Sequence, residues 1–216
     1  MSMQDNLHYQ IVSPLLMNLL KMLCASREFD AFRLVGGTAL SLYRGHRESV
    51  DIDLFSDAQY NSIDYYAIDH FLRTTYPYVD TSEYKVIGMG KSYYVGNDDH
   101  NCVKLDLFYT DNFIQELVLI DGIRLATLEE IIAMKIDVIS RGGRKKDFWD
   151  IHELMHDYSF REMITLHKRR YPHTHDEALI KTNFTNFSTA DEDFNPICLK
   201  GKHWEIIKLD MIYFAK

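Results

Sequence analysis

Two carboxylates, Asp51 and Asp53, stand two residues apart in Ser49-Val50-Asp51-Ile52-Asp53-Leu54-Phe55, a run that alternates acidic and apolar side chains. A strand sends both acids to one face and Ile52 and Leu54 to the other. Neighbouring carboxylates repel one another, and burying them unpaired is costly. A divalent cation removes that cost, since Mg²⁺ takes oxygen ligands at about 2.0–2.1 Å and commonly bridges one or two carboxylates to phosphates. The plainer reading of the pair is a solvated edge strand whose charges face water.

A third acid, Asp106, lies in the apolar run Val103-Lys104-Leu105-Asp106-Leu107-Phe108 and could join the pair from an adjacent strand. There it would be a general base or a ligand to a second metal ion, and the sequence leaves both roles open. Upstream, Gly36-Gly37-Thr38 sits between a strand-like run and a helix start. Glycines at such a turn let backbone N–H groups approach phosphate oxygens, and the helix dipole favours the negative charge. Taken alone, Gly-Gly-Thr is only a tight turn. The twelve residues between it and Asp51 leave room for a short helix and a return into the sheet, which would bring phosphate cradle and carboxylates together.

The elements that must position these residues are legible in the apolar periodicity. Ile11, Leu15, Leu16, Leu19, Leu20 and Leu23 predict an amphipathic helix within 10–29. A strand is expected over 29–35, then a short helix over 39–44 with Thr38 as its N-cap. The acidic strand of 49–55 follows, and then a helix with Ile63, Ala67, Ile68, Phe71 and Leu72 facing inward. Strand-like runs at 84–90, 91–96 and 102–109 come next, the last two joined by the turn-rich Gly-Asn-Asp-Asp-His-Asn as a hairpin. A further strand is expected over 116–123. From Thr127 the period becomes helical, with Thr127 and Glu130 forming a capping-box pattern and a stop near Gly142 and Gly143. More helices are expected at 146–156, 159–170, 175–186 and 202–213. The fold class is therefore α+β, a small mixed β-sheet with packed helices followed by a helical C-terminal lobe. The lobes are expected at 1–125 and 126–216, closing a cleft within one compact unit.

With 216 residues, 46% of them apolar and 26% charged, the chain can bury one substantial core and has no fibrous or disordered character. Three separated cysteines give neither a disulfide framework nor a metal knuckle and read as packing residues. No apolar run reaches the roughly 20 residues that span a bilayer, and the N-terminal residues lack a signal-peptide layout, so no membrane partner and a cytoplasmic location are expected. The net charge of −8 opposes unassisted binding to a phosphate backbone. Two basic clusters, Arg141 with Arg144-Lys145-Lys146 and Lys168-Arg169-Arg170, still leave room for a local polyanion contact. Ten histidines show no zinc-protease spacing. His46, close to the glycine turn, reads as a polar surface group or an aid to the acceptor side.

The strand, Gly-Gly-Thr, helix and Asp-x-Asp order resembles the nucleotidyltransferase superfamily that includes polymerase-β-like and minimal nucleotidyltransferases. Gly36-Gly37-Thr38-Ala39-Leu40, the run Arg47 to Phe55, Ala133-Met134-Lys135 and Arg144-Lys145-Lys146-Asp147-Phe148-Trp149-Asp150 resemble the AbiEii/AbiGii-type toxin nucleotidyltransferases from about residue 30 to the end. That resemblance implies an enzyme dependent on Mg²⁺, with Mn²⁺ as substitute, that moves a nucleotide from a nucleoside triphosphate to a tRNA or protein acceptor. It also implies a toxin with a cognate antitoxin partner, in a toxin–antitoxin or phage-defence pair. Carried over residue by residue, Gly36, Gly37, Thr38, Arg47, Ser49, Lys135 and Lys146 would hold the triphosphate. Asp51 and Asp53, with Asp106, would bind metal, and Asp147 would support the site from the helical lobe. Thr38 replaces a serine common after the glycines and keeps the hydroxyl. Two competing readings are a silent binding module of the same fold and a metal-dependent phosphohydrolase.

Overall fold

The computed structural model of the chain describes residues 7–82 and 88–216. Its first half runs α1 (Pro14–Ala25), β1 (Arg33–Leu34), α2 (Gly36–Arg44), β2 (Asp51–Ser56), α3 (Tyr65–Thr75), β3 (Tyr78–Thr81), β4 (Gly90–Gly96), β5 (Cys102–Tyr109), β6 (Val118–Ile120) and β7 (Ile123–Leu125). The second half is helical: α4 (Leu128–Ser140), α5 (Lys145–Leu154), α6 (Phe160–Arg170), α7 (Glu177–Phe184), α8 (Ser188–Asp191) and α9 (Trp204–Phe214). The strands form one mixed sheet in the order β3-β4-β5-β2-β1-β7-β6. The expected α+β class, a mixed sheet with a helical C-terminal portion, is what the chain adopts.

The sheet is built around the acidic strand. β2 pairs in parallel with β5, setting Asp53 directly beside Asp106, and antiparallel with β1, setting Phe55 beside Arg33. Along β2 and β5 alternate residues are buried, so Ile52, Leu54, Leu105 and Leu107 enter the core with Leu16, Leu19 and Leu20 of α1. The acids share the opposite face because of the period-two pleat. The predicted hairpin of β4 and β5 forms, with Gly96 opposite Cys102.

Several boundaries differ from the sequence expectation for local reasons. The helix of 10–29 is shorter because Ser13 caps it and Pro14 starts it. The strand expected over 29–35 shrinks to two residues. That over 116–123 is a hairpin of two short strands, turned by Asp121 and Gly122, both at positive φ. The strand expected over 84–90 falls mainly outside the described residues, and β3 and α8 were not expected. Thr127 does cap α4, accepting from the Glu130 N–H. Glu130 does not complete the box: it is fully buried, accepts from the backbone N–H groups of Ile114 and Gln115, and faces Arg170 at 3.0 Å. That buried ion pair moors α6 to α4 and to the loop after β5, so Arg170 is structural and not part of a free basic cluster.

The helical portion closes over aromatic contacts. Trp149 of α5 stacks on Trp204 of α9 at 6.3 Å between centroids, and Phe148 meets Trp204 and Phe187 edge-on. No helix among the described residues is long and apolar enough to cross a membrane.

Candidate active site

The turn from β1 into α2 delivers backbone to the carboxylates. Val35 N–H donates to the Asp53 carbonyl at 2.9 Å, and the chain enters α2 through Gly36 at φ +68°. That left-handed conformation suits glycine. Space demands it too, since a Cβ on Gly36 would stand 2.6 Å from Asp53 Oδ2. At Gly37 a Cβ would lie 2.3 Å from Arg47 Nη2. The helix therefore begins at Gly36, and Thr38 is not its N-cap. The Thr38 hydroxyl, 1% exposed, donates to the Asp51 carbonyl and lies 2.7 Å from Ser49 Oγ, fixing the entry of β2.

Ten of the predicted site residues line one cleft of about 200 Å³: Gly36, Gly37, Thr38, Arg47, Ser49, Asp51, Asp53, Lys135, Lys146 and Asp147. Val35, Phe55, Met134, Val138 and Arg144 complete its wall. Asp106 does not line it. That carboxylate stands next to Asp53 in the neighbouring strand but accepts from Ser92 Oγ at 2.6 Å and from Lys104 Nζ.

Behind the cleft lies a charge network that sequence reading placed only in part. Asp150, fully buried, accepts from Arg47 Nε at 2.7 Å and Nη2 at 2.9 Å. It also meets His46 Nε2 at 2.8 Å and Lys135 Nζ at 2.7 Å. Lys135 is shared with Asp147, 2.6 Å away, and Asp147 in turn accepts from the Arg144 backbone N–H. Burial works against every charge here. For Asp150 it is outweighed by Arg47, Lys135 and the His46 hydrogen bond, so its carboxyl lies well below the usual carboxylate range. Lys135 is held above its ordinary value despite burial, by Asp147 and then Asp150. His46 is lowered by burial against the pull of Asp150, and it is a core residue, not a surface group. The sequence signal for Asp150 was its spacing: three residues after Asp147, it shares a helix face with it.

The open side of the cleft is less compensated. Burial, then the charge of Asp106, raises the Asp53 carboxyl above its ordinary value. Lys146 Nζ stands 3.7 Å from Asp51 Oδ2, and burial and Arg144 lower its ammonium. Its neighbour Lys145 turns the other way, donating to the Asp191 and Asp193 carbonyls and lying over the Trp204 ring. The run Arg144-Lys145-Lys146 is thus split between cleft and core.

A divalent ion fits this donor set. Asp51 and Asp53 both open on the cleft, Asp53 is short of positive charge, and the missing Cβ of Gly36 leaves room at Asp53 Oδ2. Among the described residues no group of three or more His, Cys, Asp or Glu side chains could hold a metal by itself. Two carboxylates completed by phosphate and water oxygens is the usual Mg²⁺ arrangement.

A family model described as "Nucleotidyl transferase AbiEii toxin, Type IV TA system" matches residues 18–215. The uncharacterized protein aq_aa25 of Aquifex aeolicus (strain VF5) is 29% identical over 170 residues, covering 75% of this chain and 76% of that protein. Among solved structures, JHP933 from Helicobacter pylori superposes with a TM-score of 0.58 at 20% identity, over all of this chain and 91% of the other. MenT4, a nucleotidyltransferase toxin of Mycobacterium tuberculosis H37Rv, gives 0.55 at 13% identity over 91% of this chain and 80% of its own. At these identities the two structures show a shared fold.

Proposed function

We propose that this chain, which belongs to the AbiEii nucleotidyltransferase toxin family of type IV toxin–antitoxin systems, binds a nucleoside triphosphate in the cleft between β2 and α5 and transfers its nucleoside monophosphate to an acceptor hydroxyl. The observation that carries this reading is the meeting of Gly36 with Asp53, with Arg47 and Lys146 on the same cleft wall.

In this reading the triphosphate lies against the Gly36 and Gly37 backbone, where bulkier residues would block it. Arg47, clamped by Asp150, supplies a preset guanidinium; Lys146 supplies the ammonium that faces Asp51. Lys135 keeps Asp147 and Asp150 neutralised, so that the cleft wall holds its shape. Phe55, Met134 and Val138 give an apolar side for base or ribose. Asp51 and Asp53 would hold Mg²⁺, whose chemistry there is to neutralise phosphate charge. The acceptor oxygen bonds to the α-phosphorus, the bond from that phosphorus to the bridging oxygen breaks, and pyrophosphate leaves with the electron pair. Asp106, beside Asp53 in the sheet, is the carboxylate that would take the acceptor proton, which requires it to leave its ion pair with Lys104. Positioning and fixed charge supply most of the acceleration in such a site.

The test is to express wild type and Asp53→Ala and weigh total tRNA and protein by mass spectrometry. A nucleotide added only by wild type is expected; identical products from both would remove Asp53 from the reaction. Retained triphosphate binding with no transfer to any acceptor would favour a silent binding module.

A further inference from the structure

The last helix, α9, is apolar on more than the side it buries. Trp204, Ile207 and Met211 enter the core at intervals of three and four, and Trp204 stacks on Trp149 of α5. The opposite side carries Ile206, Leu209 and Tyr213, again at intervals of three and four, with Ile212 beside them. In that order they are 53%, 50%, 67% and 39% exposed. A helix that is apolar all round is ordinarily covered all round. These four side chains leave on the order of 400 Å² of surface open on a single helix. Glu205, Asp210 and Lys216, all exposed, rim it, which is the layout of a protein-binding patch.

The rim charges select what covers the patch. Glu205 stands in the first turn of α9 and Lys216 just past its end. They are eleven residues apart, or three helical turns, so both lie on one flank of the apolar stripe. The Glu205 carboxylate meets Lys208 at 3.1 Å, and the Lys216 ammonium lies over the Tyr213 ring at 4.4 Å. A two-fold axis beside Leu209, perpendicular to the helix, sets a second α9 antiparallel to the first. Ile206 then meets Tyr213 of the partner subunit, and Glu205 meets Lys216 of the partner subunit at both ends. A parallel pair would instead set like charges together along the flank. The face is therefore complementary to itself in one direction only, as an isologous contact requires. Asp210 lies on the other flank, bonded to His152 Nε2 at 2.9 Å, and approaches its own copy near the axis, which costs some affinity.

We infer that the outward face of α9 is a homodimer interface, in which two copies of this chain pack their last helices antiparallel about Leu209. Covering the patch and its charged rim removes on the order of 600 Å² per protomer, the lower end for stable association. The dimer is therefore weak, with a Kd on the order of 10 µM. α5 meets α9 through Phe148 and Trp149 and the cleft through Lys146 and Asp147, so pairing leaves both clefts open.

The experiment is sedimentation velocity on the full chain from about 1 to about 100 µM, a range that brackets the expected Kd. Wild type should pass reversibly from monomer to dimer. Leu209→Glu should stay monomeric while its circular dichroism and melting remain those of a folded protein. Glu205→Lys and Lys216→Glu should each weaken pairing about ten-fold. An equimolar mixture of those two variants should regain wild-type association, because the mixed dimer again sets opposite charges together at both ends. Wild type that is monomeric throughout, or a mixture no more associated than either variant alone, overturns the interface. So does wild type that sediments with phosphatidylserine vesicles and never with itself, which would give the face to a membrane surface.

Discussion

Arg47 is gripped by Asp150 through both Nε and Nη2, and the same guanidinium stands where a Cβ on Gly37 would be. A residue at the base of the helical portion thereby holds a cation against the glycine-turn wall of the cleft, where the proposed triphosphate would lie. Arg47→Lys is predicted to lose this fork geometry, which an ammonium cannot reproduce. NTP affinity measured by calorimetry should fall about ten-fold or more, in line with loss of a charge-assisted hydrogen bond of about 1.5–3 kcal/mol. An unchanged affinity would show that Arg47 serves only the core.

Asp150→Asn should behave differently. It leaves Arg47 and Lys135 buried with one carboxylate fewer, and breaking a buried pair from one side costs about 3–5 kcal/mol. Chemical denaturation should show that loss, together with weaker NTP binding. A variant as stable as wild type would mean that Asp147 alone compensates both cations.

The glycines act through space. Gly37→Ala puts a methyl group into the Arg47 guanidinium, and Gly36→Ala adds a positive-φ penalty of roughly 1–2 kcal/mol to a clash with the Asp53 carboxylate. Both variants should lose transfer activity about a hundred-fold. Gly37→Ala should also melt below wild type, because the guanidinium it displaces is the buried partner of Asp150. Steady-state kinetics beside thermal melts separate the two effects.

Much of this was readable in the chain itself. The alternation around Asp51 and Asp53 set the strand, and the strand set their common face. Gly-Gly-Thr marked the approach of α2, because only glycines tolerate that proximity. What stayed hidden was who answers whom across long sequence distances. Asp150 pairs with Arg47 across 103 residues, and no local period announces such a contact. Glu130 matched a capping box by spacing, yet burial beside Arg170 and two loop N–H groups claimed it instead. The strand expected over 29–35 forms, but only as the two residues of β1, because its extent is set by pairing with β2 and β7 and not by its own residues.

Acid should weaken the fold through Asp150. Its carboxyl lies well below the ordinary range when folded, with burial opposing and Arg47 and Lys135 prevailing. Unfolded, it returns to about 3.9. The unfolded chain then binds the proton more readily, so the stabilisation is complete above about pH 5 and drains as pH falls through 3.9 towards the folded value. Asp53 has the opposite sign, being raised by burial and by Asp106. The clean readout is the gap in urea midpoint between wild type and Asp150→Asn, which should hold from pH 7 to about pH 5 and narrow from there down to about pH 2.5. A gap constant across that range would refute the linkage.

Lys145 and Lys146 are adjacent in sequence and should give opposite phenotypes. Lys145 is buried over Trp204 and donates to the carbonyls of Asp191 and Asp193, so it ties the start of α5 to the segment leading into α9. Removing it in Lys145→Met strands those acceptors but touches nothing in the cleft. Lys146 lines the cleft and has Asp51 at 3.7 Å as its nearest acid, too far for a strong bond. Its ammonium, lowered by burial and by Arg144, gains most when a polyphosphate arrives. Lys146→Met should therefore weaken NTP binding about ten-fold while leaving the urea midpoint in place, whereas Lys145→Met should lower the midpoint with NTP affinity preserved. If both variants lose affinity equally, the α5 N-terminus moves as a unit and the split between the two lysines has no functional meaning.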